Sequence, residues 1–417
     1  MNQQSRLRWG ALYVMAFVWR RLLFRTTFVA ITGSVGKTTA KECLAAILSS
    51  RFPIAKTIAS NNTMRDLIWT VLRVRPWHHF AVVEVATDGP GWMRRMAPLV
   101  RPDVAIVLNV ARTHTNRFRT LEDTATEKAR LLGSLSKRGV AVLNGADTRV
   151  VAMHIRGKRC VTFGVKSSDA LWADRISSAW PNTLSLDVHW QGETAHVETH
   201  LIGTHWLPSV LGALLGAIMC GMSLTEAAER IPAAKPLAGR MQPVILPVGA
   251  TVIRDDENAS FSTWEAATQV LANAKAKRKV LVASDMLDWR DKPRRRMRAL
   301  GLEAARLADI VIFVGDRSER AAQAALEANM LPESVHHFYE YMEAAEYLRT
   351  ELRAHDLVLL KGQDHLSRIL FAQFGFVECR KAQCRKTILC DECDELGAET
   401  IPQELRESRY TSNETAH

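Results

Sequence analysis

The chain has 417 residues, of which 47% are hydrophobic and 24% are charged, a composition typical of a globular protein with about two to three domains. Its formal net charge of +11 favours anionic partners, such as nucleotides, acidic substrates or a membrane surface. No motif typical of RNA or DNA binding accompanies this charge, so we expect no nucleic-acid partner.

Residues 1–27 are predicted to form a basic, apolar N-terminal helix. Apolar residues dominate from 9 to 24, and Arg8 and Arg25 flank them. The segment lacks the cleavage site of a signal peptide, and its uncharged part is shorter than the ~20 residues that span a bilayer. Two interpretations stay open: a helix packed on the next domain, or an amphipathic helix lying on the inner face of the membrane.

Residues 28–237 are predicted to form an α/β domain with a mostly parallel sheet, because short apolar runs alternate with helical patterns. The predicted strands are 28–31, 80–85, 104–108, 140–143 and 160–163. Between 171 and 201 apolar and polar residues alternate, which indicates half-exposed antiparallel strands. A helical pattern over 210–231 then precedes a domain boundary marked by Pro232, Pro236 and Gly239.

Residues 238–375 are predicted to form a smaller, Rossmann-like α/β domain. Its predicted strands are 251–253, 279–283, 310–314 and 357–360, with helices at 294–307 and 321–328. Residues 376–417 are predicted to be a Cys-rich segment followed by a polar tail.

A glycine-containing turn joins the first predicted strand to a helix over 38–48, which is the context of a phosphate-binding loop. Backbone N–H groups at a helix N-terminus favour anions. We therefore expect ATP phosphates at this loop, with Lys37 on the terminal phosphates and the Thr38 hydroxyl on Mg²⁺. The candidate nucleotide-binding residues are Gly33, Ser34, Val35, Gly36, Lys37, Thr38 and Thr39. The general loop pattern has four residues between its glycines, and here Ile31 takes the place of its first glycine.

Several motifs occur in the order found in the Mur ligases, which add amino acids or peptides to a growing precursor. They are ITGSVGKTT at 31–39, the pair Asn61 and Asn62, VVEVA at 82–86, RPDVAIVLNVARTHTNRF at 101–118, EKARLL at 127–132 and VLNGAD at 142–147. The series continues in the second predicted domain with LAGRM at 237–241, IRDDENAS at 253–260, VASDML at 282–287 and LLKGQDHL at 359–366. The chain resembles this family over about residues 28 to 370, most closely the branch that adds D-alanyl-D-alanine.

The resemblance implies a magnesium site next to the loop. Glu84 stands where the family has a magnesium-binding glutamate, and His114 where it has a metal-binding histidine. Lys128 stands where many members carry a carbamylated lysine. Together with Lys37, these three residues are the candidate catalytic residues. The Mg²⁺ ligands that the resemblance implies are Thr38, Glu84 and His114.

The resemblance also implies nucleotide contacts in the second domain, from Arg240, Asp256 and Asn258. The implied activity is ATP-dependent amide-bond formation through an acyl phosphate, in the cytoplasm and on a cell-envelope precursor such as that of peptidoglycan. ATP and Mg²⁺ would be required, and the partners would be a carboxylate donor and an amine acceptor.

The chain departs from the family in two respects. Only 27 residues precede the first strand, so we expect no domain for the uridine nucleotide sugar. Ser209 stands where the family has an asparagine near the nucleotide. These departures motivate an alternative function, a catalytically inactive nucleotide-binding partner or scaffold that keeps the fold.

Four cysteines lie close together near the C-terminus, at Cys379, Cys384, Cys390 and Cys393. Four thiolates suit tetrahedral Zn²⁺, although the spacing between the two halves is shorter than in ordinary zinc ribbons. Structural zinc, free or redox-active thiols, and an iron–sulfur cluster are the three interpretations.

Overall fold

The computed structural model of this chain describes residues 3–58, 62–87, 89–111, 118, 120–155, 157–257, 259–286, 293–362 and 366–374. These residues form two compact units, the first mostly from the chain up to Ala234 and the second mostly from Lys235 onward. Each unit contains a largely parallel sheet with helices packed on it, which confirms the predicted α/β fold class. Among the described helices, none is both long enough and apolar enough to cross a bilayer.

The first unit begins with a helix and continues as alternating strands and helices. Its helices are α1 (Gln3–Leu22), α2 (Lys37–Ser49), α3 (Met64–Arg73), α4 (Met93–Val100), α5 (Leu121–Gly133), α6 (Thr148–Val151), α7 (Leu207–Met219) and α8 (Leu224–Arg230). Its strands are β1 (Thr27–Thr32), β2 (Ile54–Lys56), β3 (Phe80–Glu84), β4 (Val104–Val107), β5 (Val140–Asn144), β6 (Arg159–Gly164), β7 (Leu171–Ala179), β8 (Asn182–Trp190) and β9 (Glu193–Glu198).

The nine strands are ordered β2-β3-β1-β4-β5-β6-β7-β8-β9. Strands β1 to β7 pair in parallel, whereas β8 and β9 pair antiparallel. The antiparallel pairing predicted over 171–201 is therefore confirmed for β8 with β9, but it is wrong for β7 with β6, where the two strands pair only at Phe163–Leu171 and Gly164–Trp172. The central strands β3, β4 and β5 are buried along their whole length. Because helices cover both faces of a parallel sheet, such strands are continuous apolar runs, and this is why the sequence reveals them.

The helix predicted over 210–231 is two helices, α7 and α8. Gly221 lies between them with φ of +94°, a left-handed conformation that ends a helix at little cost only for glycine. Helix α8 then starts afresh at Ser223, whose hydroxyl accepts a hydrogen bond from the Glu226 N–H in a capping box. The single-helix prediction is therefore wrong at this turn.

The second unit has a six-stranded sheet in the order β10-β11-β15-β12-β13-β14. Its strands are β10 (Gln242–Ile245), β11 (Thr251–Asp255), β12 (Lys279–Ser284), β13 (Ile310–Val314), β14 (Val335–Phe338) and β15 (Leu357–Lys361). Its helices are α9 (Phe261–Asn273), α10 (Pro293–Leu307), α11 (Glu319–Glu327), α12 (Tyr341–Glu351) and α13 (Ser367–Gln373). All neighbouring strands are parallel except β10 and β11.

Candidate active site

The turn between β1 and α2 presents the start of a helix to the edge of the sheet. Gly36 precedes α2 with φ of +82° and ψ of −2°, and no side chain caps the helix. The first backbone N–H groups of any α-helix lack acceptors within that helix. In α2 these groups belong to Lys37, Thr38 and Thr39, and such a helix end favours an anion.

Asn109, which follows β4, holds the loop in shape. Its Oδ1 accepts hydrogen bonds from the backbone N–H of Ser34 at 2.9 Å and of Val35 at 3.0 Å, and its Nδ2 donates to the Val35 carbonyl at 3.1 Å. These two loop N–H groups are thus engaged by protein in this structure. The sequence analysis did not single out Asn109; a polar side chain directly after a buried parallel strand was the available signal.

Helix α7 packs so closely against the loop that position 36 has no room for a side chain. The Ser209 hydroxyl donates a 3.0 Å hydrogen bond to the Gly36 carbonyl, and a Cβ at position 36 would lie only 2.4 Å from the Ser209 oxygen. Ser209 is buried. The structure therefore shows Ser209 in contact with the loop between β1 and α2.

Lys37 and Thr38 begin α2. The Lys37 ammonium donates a 3.2 Å hydrogen bond to the Ser34 carbonyl, so the side chain folds back over the loop. The Thr38 side chain is buried, as is that of Thr39. The residues that the sequence predicts to act on phosphate and on Mg²⁺ are thus the first two of α2.

Glu84 ends β3, the strand next to β1, and the residue is only 1% exposed. Oε1 accepts a 2.9 Å hydrogen bond from Nδ2 of Asn62. Oε2 is buried with no hydrogen-bond partner among the described residues, and the same is true of Oγ1 of Thr32 at the end of β1. Two buried oxygens without donors, at the carboxyl ends of adjacent strands, are suited to a cation.

Lys128 of α5 lies directly on the phosphate loop. Its ammonium is buried and donates a 2.9 Å hydrogen bond to the Gly33 carbonyl. Burial, and then the positive charge of Lys37, lower the pKa of Lys128 well below its usual value. The structure thus brings Lys37, Lys128 and the loop together, although 95 residues separate Lys128 from Gly33.

Several predicted site residues lie outside the described residues: Asn61, His114, Asn258, Cys379, Cys384, Cys390 and Cys393. Within the described ranges, no group of three or more His, Cys, Asp or Glu side chains is arranged to hold a metal ion. A site built from Glu84, hydroxyl oxygens and bound phosphate does not require such a group, because Mg²⁺ often takes only one or two carboxylates.

In the second unit, Asp256 is fully buried and engaged by Arg254. Nε and Nη2 of Arg254 donate to its two carboxylate oxygens at 2.8 and 3.0 Å, a bidentate pair. Arg240 lies 3.7 Å from Glu257, an ion pair with partly buried side chains. The predicted nucleotide contact of Asp256 would require its carboxylate, which is buried in this structure, to become accessible.

Asp285, which directly follows β12, is a further polar group that the sequence analysis did not single out as a site. Its Oδ2 accepts a 2.9 Å hydrogen bond from Arg317, whereas its Oδ1 is buried with no partner among the described residues. Burial raises the pKa of this carboxyl group. At the same edge of the sheet, Lys361 pairs with Asp255.

Comparison with known protein families gives two adjacent matches. The Mur ligase middle domain matches residues 31–217, and the Mur ligase glutamate ligase domain matches residues 239–363. Together they account for about three quarters of the chain.

Curated relatives carry the name UDP-N-acetylmuramoyl-tripeptide–D-alanyl-D-alanine ligase. The one from Mycobacterium tuberculosis is 31% identical over 251 residues, which are 59% of this chain and 49% of that protein. The one from Escherichia coli is 28% identical over 336 residues, covering 78% of this chain and 71% of that protein. The chain therefore spans about half the length of the first of these relatives.

Solved structures share the fold. MurF from Acinetobacter baumannii superposes with a TM-score of 0.79 at 23% identity, covering 88% of this chain and 80% of that one. MurF ligase from Thermotoga maritima, solved in complex with ADP, gives a TM-score of 0.74 at 20% identity, covering 88% and 83% of the two chains.

Proposed function

The chain belongs to the Mur ligase family, and we propose that it is an ATP-dependent ligase that joins a carboxylate to an amine through an acyl phosphate. The observation that carries the proposal is that Lys37 and Lys128 both donate to carbonyls of one loop at the N-terminus of α2. Glu84 ends the strand that pairs with β1, from which this loop leaves. In this reaction a carboxylate oxygen attacks the γ-phosphorus of ATP and releases ADP. The amine then attacks the acyl carbon and expels phosphate.

The role proposed for the loop follows from charge. A carboxylate and the γ-phosphate repel each other, so the reaction needs fixed positive charge where the phosphoryl group is transferred. The N-terminus of α2 would hold the phosphates, and Lys37 would exchange its contact with the Ser34 carbonyl for the terminal phosphates. Asn109 would keep the loop in place during this exchange.

The residues present fit a magnesium ion. Within the described part of the chain, Oε2 of Glu84 and the hydroxyl of Thr32 are buried oxygens without hydrogen-bond partners, and Thr38 carries another hydroxyl at the start of α2. We propose that Glu84 and Thr38 hold Mg²⁺, with His114 as the further ligand implied by the family. When bound, Mg²⁺ neutralises charge on the β- and γ-phosphates.

The names of the curated relatives suggest the substrates to test. We propose that the acceptor is D-alanyl-D-alanine and that the donor is the peptide carboxylate of a cell-wall precursor such as UDP-N-acetylmuramoyl-tripeptide. Release of phosphate from ATP should require both compounds, with an equal amount of ligated product found by intact-mass analysis. Phosphate release at the same rate with and without the two compounds would contradict the proposal. ATP binding without turnover across a wide set of acids and amines would favour the inactive scaffold instead.

We propose that Lys128 is carbamylated in the active enzyme. Only an unprotonated amine adds CO₂, giving a carbamate and a proton. Burial and the charge of Lys37 lower the pKa of Lys128, so at any given pH a larger fraction of its amine is neutral than in an exposed lysine. The carbamate would supply the negative charge that a lysine lacks, next to Lys37 and the metal.

With ¹³C-bicarbonate, we expect a protein-bound carbamate signal that disappears in Lys128→Gln. The signal should also be lost as the pH falls through the lowered pKa of the folded protein, because protonation of the amine releases CO₂. Ligation by Lys128→Gln should fall by about 10- to 100-fold, as for other groups that position metal ligands. A wild-type protein that shows full activity but no carbamate signal would contradict this role.

The proposal places the reaction in the cytoplasm, where ATP is available, with peripheral contact to the inner face of the membrane through α1. Burial raises the pKa values of Cys43 and Cys220 to about 12, so these thiols are protonated and unreactive. Such free cysteines are common in a reducing compartment. The proposed Zn²⁺ site at the C-terminal cysteines can be tested by metal analysis of the full chain.

A further inference from the structure

Helix α1 is fixed to the first unit along one side. Nε1 of Trp19 donates a 2.9 Å hydrogen bond to the Val74 carbonyl after α3, and the Tyr13 hydroxyl donates a 3.0 Å hydrogen bond to the Arg95 carbonyl of α4. The buried Arg20 donates to the Val100 carbonyl at 2.6 Å. The helix therefore lies on α3 and α4 with a fixed rotation about its axis.

That rotation turns an apolar stripe outward. We call it the outer stripe; its residues are Leu7, Ala11, Val14, Met15, Val18 and Leu22. Their spacing places them within about 100° of the helix circumference at 3.6 residues per turn. The five larger side chains are each 50–69% exposed. A continuous apolar stripe of this size on a packed helix indicates an interaction site rather than chance exposure.

The surroundings of the outer stripe are strongly basic. No Asp or Glu occurs before Glu42 in the sequence, and α4 contains none either. Arg8 and Arg25 are exposed towards the two ends of the stripe, and the Arg65 guanidinium of α3 lies 4.7 Å from the Trp9 ring. A second copy of the chain would bring the same positive charges together, whereas an anionic surface would neutralise them.

Tryptophans accompany the arginines on the neighbouring segments. Trp69 on α3 is 41% exposed and Trp77, just after α3, is 64% exposed. Tryptophan is enriched where protein meets the lipid headgroup region, because its ring is apolar and its N–H is polar. Apolar stripe, arginines and exposed tryptophans together match the chemistry of a helix lying in a membrane interface.

We propose that the outer stripe docks on an anionic phospholipid surface, with α1 lying in the plane of the interface and the first unit held against the membrane. This docking specifies how the protein would contact the membrane, and it rests on the proposed function only for the choice of the cytoplasmic leaflet. The cytoplasmic leaflet carries the anionic lipids that attract arginines. Docking itself requires neither ATP nor the reacting substrates.

The test measures co-sedimentation of the full chain with vesicles. We expect binding to phosphatidylcholine vesicles containing phosphatidylglycerol and little binding to phosphatidylcholine alone. Added salt should weaken the binding, because it screens the arginines. Val14→Glu should reduce the bound fraction by at least about tenfold, since a carboxylate would enter the apolar layer.

Leu331→Glu is the matched control, because Leu331 and Val14 are both 61% exposed and Leu331 lies in the other unit. It should bind like the wild type, and both variants should keep the wild-type melting temperature. Ligation in vesicle-free solution should be unchanged in Val14→Glu, so a failed docking test leaves the activity measurable. Absence of binding to anionic vesicles, equal loss in both variants, or a wild-type dimer that Val14→Glu dissociates would overturn the proposal.

Discussion

Replacing Lys37 with alanine is expected to lower the rate of ATP-dependent ligation by about 10³-fold or more. The Lys37 ammonium lies over the phosphate loop at the start of α2, within 3.2 Å of the Ser34 carbonyl. Its charge would stabilise the transferred phosphoryl group more than it stabilises bound ATP. We therefore expect kcat to fall much more than the affinity for ATP.

The rate is measured as phosphate release at saturating ATP. Two further variants serve as controls. Lys166→Ala removes an exposed lysine of the same unit and should leave the rate unchanged. Lys37→Arg keeps the charge but not the compact ammonium, so it should remain strongly impaired. If Lys37→Ala kept more than about a tenth of the wild-type rate, the loop would not be the site of phosphoryl transfer.

Glu84→Gln is expected to change activity and stability in opposite directions. Ligation should fall by about 10²- to 10³-fold, with a higher Mg²⁺ concentration at half-saturation, because an amide is a poorer ligand for Mg²⁺ than a carboxylate. Without Mg²⁺, the free energy of unfolding should rise by about 1 kcal/mol. The buried Oε2 of Glu84 has no donor among the residues that the structure describes, and the substitution removes that desolvated carboxylate.

Glu127→Gln provides a matched control for the stability measurement. Glu127 is also buried in the first unit, but its oxygens are satisfied by the Met93 N–H at 2.7 Å and by Arg130 at 3.2 Å. This substitution should therefore lower the free energy of unfolding. Chemical denaturation without Mg²⁺ compares the two variants. A Glu84→Gln protein that is less stable than the wild type yet fully active would show a structural rather than a metal-binding role.

The sequence by itself determined the fold class, because the features involved are local. Strands buried on both faces are continuous apolar runs, and the glycine turn followed by an apolar-periodic helix marks the change from β1 to α2. The short strands β2, β10 and β14 were not predicted. Each of them is an edge strand that is partly exposed, so it lacks the continuous apolar run of a strand buried on both faces.

Only the tertiary structure decided how the candidate site is assembled. The sequence analysis places Glu84 and Lys128 near the loop by family resemblance, yet it cannot show that Lys128 donates to the Gly33 carbonyl. Nor can it show that the amide of Asn109 engages the loop N–H groups, or that one oxygen of Glu84 has no donor from any residue with a described position. These properties depend on side chains from separate strands and helices that meet only after the sheet forms. Burial and hydrogen bonding are fixed by that packing, and local sequence carries no direct record of it.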